Sequence, residues 1–592
     1  MVFNDNPIIY LTKKTWEYSK GNRGNVILYF SLFLIANIFD FMFPLLIGKI
    51  LNVIQEFGIT GDNIYGLLGY ASMFILLSVL FWMFHGPARV LENTNAFLVR
   101  ANYRKYLLDG VMSLPAEWHA DHHSGDTIDK IEKGTSALCD YSSESYQVIE
   151  IIVRFTSSYF ALVYFNLHSA YLVIMMVFVV AFIIDKMDSI LRIQWKQLSL
   201  AENEISAKVF DVISNITTVI ILRVQKQFSK SIFKQIMKPL SLSIKTQKLN
   251  EFKWFIVSIF VSIMTFLILG TYIYSAFKSG STVMLGTVYL LYGYVDRINE
   301  LFYRMTWKYS NFVKLRVRVA NAEEISKEFK KQFEIKNVKL EGWNKLIVSD
   351  LKFSYHKKKG VDLHLNNINM IINRGEKIAL IGHSGSGKTT FMKIIRDLYH
   401  SKYGDIYLDD QKLEHGFKSI SNNISLIPQD PEIFNTTIKE NITLGVPLKT
   451  EEIEQYIKLA QFSEVVKRLP QKLNSYIYEK GVNLSGGEKQ RLALSRGLMA
   501  SRDKEIILLD ESTSSVDTKN EYLIYQNIFK EFSDKTIFAS IHRLHLLPMF
   551  DKIYLFKSGK IISSGSFEEM LSFKEFRKIW DKYVKSIDKF KK

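Results

Sequence analysis

The sequence predicts a chain in two parts: a membrane-embedded all-α domain of six spanning helices, then a soluble α/β P-loop domain. Three observations predict this. Windows of about 20 apolar residues recur in the first half, the length a helix needs to cross ~30 Å of hydrocarbon. Positive charge is distributed very unequally among the loops between them. After about residue 319, short β-rich runs alternate with helical ones, and one strand ends in a glycine-rich loop. Composition agrees. Hydrophobic residues make up 48% of the 592 positions beside 23% charged ones, as expected of one apolar and one ordinarily soluble part. Ten prolines and this apolar content exclude a disordered chain. The single cysteine, Cys139, excludes an intrachain disulfide framework and a multi-cysteine zinc site.

The apolar windows fall at 26–51, 64–82, 148–167, 170–184, 255–277 and 282–295, the last being the shortest. The short connections at 52–63, 168–169 and 278–281 hold one Lys between them. The opposite side is basic. It carries Lys13, Lys14, Lys20 and Arg23 before the first window, and ten Lys and Arg between 192 and 248. Cytoplasmic loops carry such an excess, so both long loops and both termini are expected in the cytoplasm. Nothing before the first window reads as a cleavable signal peptide. The net charge of +17 follows from this topology and from attraction to anionic lipid. A nucleic-acid partner is disfavoured, because no basic cluster is interleaved with base-stacking aromatics. The long cytoplasmic stretches read as helices that extend the spans, with turns at Pro115, Gly125 and Pro239.

Ionisable groups inside spans are functional candidates by default. Asp40, deep in the first span, and Arg154, in the third, are such groups, and they could pair. Asp296, Arg297 and Glu300 read as a solvated extension of the sixth span. His119, Asp121, His122 and His123 form an apparent metal cluster, but adjacent histidines do not easily converge on one ion.

In the soluble part, strand 377–381 ends directly in Gly382-His383-Ser384-Gly385-Ser386-Gly387-Lys388-Thr389-Thr390. This is a phosphate-binding loop in the setting it needs, between a strand and a helix. Glycines let backbone N–H groups turn inward around phosphates, and the helix N-terminus adds positive potential. Lys388 would reach the β- and γ-phosphates, and the Thr389 hydroxyl could ligate Mg²⁺. The second element is the apolar strand Ile506-Ile507-Leu508-Leu509 ending in Asp510-Glu511. Asp510 is placed to hold Mg²⁺ and Glu511 to polarise an attacking water. Between them lies Leu484-Ser485-Gly486-Gly487-Glu488, which opens a helix.

The order of phosphate loop, Gln429, Leu-Ser-Gly-Gly, acidic strand and His542 resembles the ATP-binding cassette (ABC) transporters. The resemblance extends over essentially the whole chain and is to an exporter-type half-transporter. It implies a six-span transmembrane domain over 1–319, a linker over 320–336 and a cassette over 337–592. It implies ATP and Mg²⁺ as cofactors, and a second copy or a related half-transporter as partner. Membrane lipids and an unidentified substrate are further partners, with no nucleic acid.

By resemblance, Tyr355 stacks on adenine, and Gln429 touches the metal or the water. Ser485, Gly486 and Gly487 contact the γ-phosphate held by the opposite chain. Asp517 belongs to a loop at the dimer interface and His542 senses the γ-phosphate. Segments near 114–120 and 210–215 would carry cassette closure to the spans. Glu488 stands where Gln is commoner, and Ser515-Val516 where Ala-Leu is. Glu479 matches a coupling loop only loosely. The implied function is ATP-driven export or flipping of a hydrophobic, amphipathic or lipid substrate by a homodimer. Import, or one half of a heterodimer, is the alternative. A regulator that only binds nucleotide is disfavoured by intact Glu511 and His542. The Lys-, Asn- and Ile-rich usage suggests a bacterial inner membrane.

Overall fold

The structure, a computed structural model, describes residues 6–122, 124–329, 338–355, 364–401, 403–477 and 484–590. His123 and Glu479 lie outside the described residues. The chain divides into two units. One comprises Met1–Ser113 and His123–Lys331, the other Leu114–His122 and Gln332–Lys592.

The first unit is helical. A short helix α1 (Pro7–Tyr18) precedes α2 (Arg23–Phe57) and α3 (Ile64–Ser113), which pack along each other. The chain leaves this unit for α4 (Ala116–Asp121) and returns as α5 (Ser124–Ser143), α6 (Tyr146–Phe165) and α7 (Ser169–Ser214). Then come α8 (Ile216–Ile221), α9 (Gln225–Met237), α10 (Leu240–Ser279) and α11 (Leu285–Phe329). Pro115 and Pro239 sit at the N-caps of α4 and α10. Gly125, expected as a turn, stands inside the first turn of α5 instead. Residues 320–329, the start of the expected linker and read from the sequence as a charged helix, continue α11.

Five helical stretches among the described residues are long and apolar enough to cross a membrane: Arg23–Phe57, Ile64–Ser113, Ser124–Phe165, Ser169–Ser214 and Gln225–Ser279. The sixth expected span, in α11, does not reach that apolarity. It does share the others' core. Leu290, Leu291, Tyr294, Val295 and Ile298 are buried with Leu162 of α6, Val173 of α7 and Ile268 of α10.

Charges inside this unit are paired, as burial requires. Arg154 on α6 reaches Asp40 on α2 at 3.2 Å and Glu150 at 2.9 Å. Arg297 on α11 also contacts Asp40, at 3.4 Å, and Arg304 bridges Glu150 at 3.0 Å and Glu300 at 2.5 Å. So Asp40 and Arg154 do pair. Arg297 and Glu300 are not merely solvated: they extend the pair into a network across three helices. Asp296 is exposed, and so is Glu300 even while it pairs with Arg304. A second, isolated pair is deeper. Lys253 on α10 donates to Asp188 on α7 at 2.9 Å, with side-chain exposures of 1% and 6%.

The second unit carries two sheets. A four-stranded antiparallel sheet runs β2-β1-β4-β5, with β1 Lys345–Phe353, β2 Leu365–Asn373, β4 Tyr403–Leu408 and β5 Gln411–Lys412. A six-stranded sheet runs β10-β9-β3-β8-β7-β6. Its members are β3 (Lys377–Ile381), β6 (Ile424–Ile427), β7 (Ile506–Asp510), β8 (Thr536–Ser540), β9 (Lys552–Lys557) and β10 (Lys560–Gly565). β3, β7 and β8 are buried at every position, so both sheet faces are covered. That is why they read as continuous apolar runs rather than alternating ones. Helices α12 (Lys388–Ile395), α13 (Ile438–Thr443), α14 (Thr450–Leu459), α15 (Ser463–Arg468), α16 (Gly486–Ala500), α17 (Thr518–Glu531), α18 (Phe567–Ser572) and α19 (Lys574–Phe590) complete the unit.

Removing one partner of the Lys253–Asp188 pair leaves a buried charge uncompensated. Asp188→Ala should destabilise the chain by roughly 3–5 kcal/mol, read as loss of thermal stability in detergent. Asp188→Leu combined with Lys253→Met should recover most of that loss, because the charge is then gone.

Candidate active site

The site gathers at one edge of the six-stranded sheet. β3 pairs in parallel with β8, β8 with β7, and β7 with β6. Parallel neighbours end on the same side, so the residues following all four strands are brought together. These are Gly382 after β3, Glu511 after β7, His542 after β8 and Gln429 after β6. A cavity of about 740 Å³ opens there, with walls that include Ser384–Thr390, Gln429, Glu511 and His542.

The loop between β3 and α12 wraps one side. Gly387 sits at φ 109°, a left-handed conformation costly for any other residue. A Cβ there would also lie 2.7 Å from Leu365 Cδ2. Lys388 folds back over the loop, donating to the Gly382 and His383 carbonyls at 2.9 and 3.4 Å. Burial pushes its ammonium below the usual lysine value, against the pull of Glu511 and Asp510. The cation is thus held by carbonyl dipoles, partners weaker than a phosphate would be.

Thr389 donates to Asp510 Oδ1 at 3.0 Å. Asp510 is 3% exposed, and burial pushes its carboxyl above the usual range. Glu511 follows at φ 47°, a left-handed conformation that stores roughly 1–3 kcal/mol of strain. Its carboxylate is held at both ends. Gln429 Nε2 donates to Oε2 at 2.8 Å, and His542 Nε2 lies 2.5 Å from Oε1. Gln429, Glu511 and His542 therefore form one chain across the cavity.

Ser485 caps α16 in a reciprocal box with Glu488, whose carboxylate also pairs with Arg468. This gives Glu488 a partner set of its own. Gly487 packs on the next loop, where a Cβ would stand 2.7 Å from the Ser515 carbonyl oxygen. Asp517 caps α17 by accepting from Asn520 N at 3.0 Å. Ser485, Gly486, Gly487 and Asp517 are not in the cavity wall. Neither is Tyr355: its hydroxyl donates to Thr390 at 3.1 Å, and its ring meets His364 and Tyr399 edge-on. His364 takes the wall position.

Sequence reasoning missed three residues here. Gln490 is buried on α16 and bridges two loops. Its Nε2 donates to Ser514 Oγ at 2.9 Å and to the Gln429 carbonyl at 3.3 Å, and its Oε1 accepts from Ser515 N at 2.7 Å. Arg543 donates to the Val516 carbonyl at 2.6 Å and to Glu521 at 3.1 Å. Thr513 closes the set by donating to Glu521 at 2.7 Å. Most partners of Gln490 and Arg543 are backbone atoms, which leave no residue pattern to recognise. The only signal was adjacency: Arg543 follows His542, and Gln490 lies one turn into the helix that Ser485 caps.

In α4, His122 stacks on Trp118 and Glu117 accepts from His400 N at 3.4 Å. No group of three or more His, Cys, Asp or Glu placed to hold a metal occurs among the described residues.

Residues 365–514 match the family model described as ABC transporter, and residues 26–293 match the ABC transporter transmembrane region. The chain is 26% identical over 575 residues to the multidrug resistance-like ATP-binding protein MdlB of Buchnera aphidicola subsp. Acyrthosiphon pisum, covering 95% of this chain and 96% of that one. It is 26% identical over 551 residues to ATP-binding cassette sub-family B member 6 of Xenopus tropicalis, covering 87% of this chain but 61% of that protein. A bacterial Atm1-family ABC exporter solved with ATP bound superposes with a TM-score of 0.83, covering 95% of this chain and 99% of the other. At 18% identity that likeness is one of fold. Both halves of the sequence, and the cavity at the sheet edge, lead to the same conclusion: the chain belongs to the ABC transporter family, as an exporter-type half-transporter whose cassette binds and hydrolyses ATP.

Proposed function

We propose that the chain exports or flips a hydrophobic, amphipathic or lipid substrate by alternating access, working as a homodimer. The observation that carries this is the Gln429–Glu511–His542 chain beside the Lys388 loop. A bound γ-phosphate would face Lys388, whose hydrogen bonds among the described residues go to carbonyls. Glu511, aimed by its two hydrogen bonds, takes a proton from the attacking water as the bond from the γ-phosphorus to the leaving ADP oxygen breaks. His542 holds Glu511 in register and donates toward the γ-phosphate. Thr389, Asp510 and Gln429 are hard oxygen donors and fit Mg²⁺; the buried Asp510 carboxylate in particular calls for a cation. When bound, that ion would neutralise phosphate charge. Tyr355 and the loop Gly382-His383-Ser384-Gly385-Ser386-Gly387-Lys388-Thr389-Thr390 would hold the rest of the nucleotide.

The homodimer reading rests on incompleteness. Ser485, Gly486, Gly487 and Asp517 stand outside the cavity wall, yet the Gly486 and Gly487 amides open a helix, a ready anion site. A second copy would bring them onto the γ-phosphate. ATP then favours the closed pair and hydrolysis releases it. The substrate class rests on the many exposed Phe, Ile and Leu of the spans, and on an ion network whose charges satisfy one another. The multidrug name of the MdlB relative points the same way. We place both termini in the cytoplasm on the basic loop charge, and the chain in a bacterial inner membrane on its Lys-, Asn- and Ile-rich usage.

The test is ATP hydrolysis by the chain alone in lipid nanodiscs. The wild type should turn over. Glu511→Gln should bind ATP, trap a closed dimer and lose at least 10²-fold in rate, a general base's usual share. Turnover near the wild-type rate would sink that role. Lys388→Ala should weaken ATP binding itself, and unchanged affinity would remove the phosphate loop from the site. Gln490→Ala leaves every proposed contact to ATP in place but unties the loops after Gln429 and Ser514. Its expected signature is a rate down roughly tenfold with near-normal nucleotide affinity, about 1.4 kcal/mol of lost positioning.

A further inference from the structure

The first turn of α16 carries a single acidic side chain, Glu488. A carboxylate there suits the helix, through the dipole and the capping box. It does not suit an incoming phosphate. Glu488 is 7% exposed, so solvent does little to disperse the charge. Burial works against that charge, but the bonds from Ser485 and the Arg468 cation outweigh it and hold the carboxyl below the usual range. The group is therefore a carboxylate at neutral pH.

Both of its oxygens have partners. Oε2 accepts from Ser485 N at 2.8 Å, and Oε1 accepts from Arg468 at the end of α15. Ser485 Oγ in turn accepts from Glu488 N at 3.4 Å. Accepting leaves the hydroxyl proton for another partner, such as a phosphate oxygen. Arg468 thus holds Glu488, and Glu488 holds Ser485 next to the Gly486 and Gly487 amides.

The ion pair is lopsided. The Arg468 side chain is 61% exposed and that of Glu488 10%. A pair this open adds little to stability. Its effect is on the field at the helix end. With Arg468 in place the Glu488 charge is answered, and without it a buried carboxylate stands beside the amides that would meet phosphate. Arg468 does not line the cavity of its own chain, so its influence on nucleotide would be exerted on the other copy's.

We propose that Arg468 is a positioning residue for ATP held between two copies: by neutralising Glu488 and steadying it against Ser485, it lets the first turn of α16 accept the γ-phosphate bound to the second copy. This rests on the reading above that a second copy brings α16 onto that phosphate. A capping box takes Gln as well as Glu. Glu488→Gln should therefore keep the shape of the turn and remove the need for Arg468.

The test uses the full chain carrying Glu511→Gln in lipid nanodiscs. It reads the ATP concentration at which nucleotide is half-maximally retained through rapid desalting. Arg468→Gln should raise that concentration roughly tenfold at low salt, as a partly screened like-charge contact would. High salt should shrink the difference, and Arg468→Lys should recover most of the loss. Glu488→Gln alone should not raise the concentration, and adding Arg468→Gln to it should cost less than twofold. Initial binding of a fluorescent ATP analogue should stay within twofold in all variants, because the cavity wall is untouched. Unchanged retention in Arg468→Gln, or a loss indifferent to salt, overturns the proposal. So does an equal loss in the Glu488→Gln background, where no unpaired carboxylate is left; that comparison decides the matter even if Arg468→Gln alone does not fold. Absence of retained ATP in the Glu511→Gln parent would overturn the two-copy reading and this proposal with it, and it is told apart from the other outcomes because every variant would then behave alike.

Discussion

Parallel pairing of β3, β8, β7 and β6 is the constraint on which the rest of the cassette depends. Parallel strands cannot be joined by tight hairpins, so each connection must cross the sheet and return. Every strand then ends at the same edge. Residues scattered from 382 to 542 in the chain converge there without any one of them being placed by a local turn. The interior positions of β3, β7 and β8 are all buried, which locks the register. A slip of one residue would carry Asp510 away from Thr389 and unmake the site.

At that edge the residues are held under tension. Glu511 occupies a left-handed conformation, and Asp510 and Lys388 are buried against the preference of their charges. Such arrangements persist only where surrounding contacts over-determine them. Here Gln429 and His542 grip Glu511, and Thr389 grips Asp510. Gln490 and Arg543 brace the loops behind. A nucleotide would replace weak carbonyl partners with phosphate, so binding and rearrangement of the loops are expected to be one event.

The membrane unit obeys the opposite economy. The charges of the ion network and of the deeper pair are answered by partners, all but Glu300 on another helix. Asp40, Glu150 and Glu300 meet Arg154, Arg297 and Arg304, and Lys253 meets Asp188. These pairs fix which helices stay together, because separating them in hydrocarbon would strand a charge. The ion network thus ties α2, α6 and α11, while Lys253 and Asp188 tie α7 and α10.

Much of this was legible in the sequence, for identifiable reasons. Hydrocarbon thickness imposes span length, so the first five windows declared themselves. The phosphate loop and the acidic strand are local patterns whose chemistry needs those residue types at that spacing. The sixth window was weak because α11 is only partly apolar and buries Tyr294 and Ile298 against other helices instead. Gly125 reads as a breaker, but one glycine is tolerated in a helix's first turn. Tyr355 was legible only through the family resemblance of Phe353-Ser354-Tyr355. That His364 rather than Tyr355 lines the cavity depends on how β1 and β2 bring distant residues together. The same holds for Gln490, Arg543 and the extension of the Asp40–Arg154 pair to Arg297. Sequence determines which groups exist and which local elements carry them. Only the tertiary structure decides which groups meet, because partners far apart in the chain are chosen by packing, and packing leaves no local pattern.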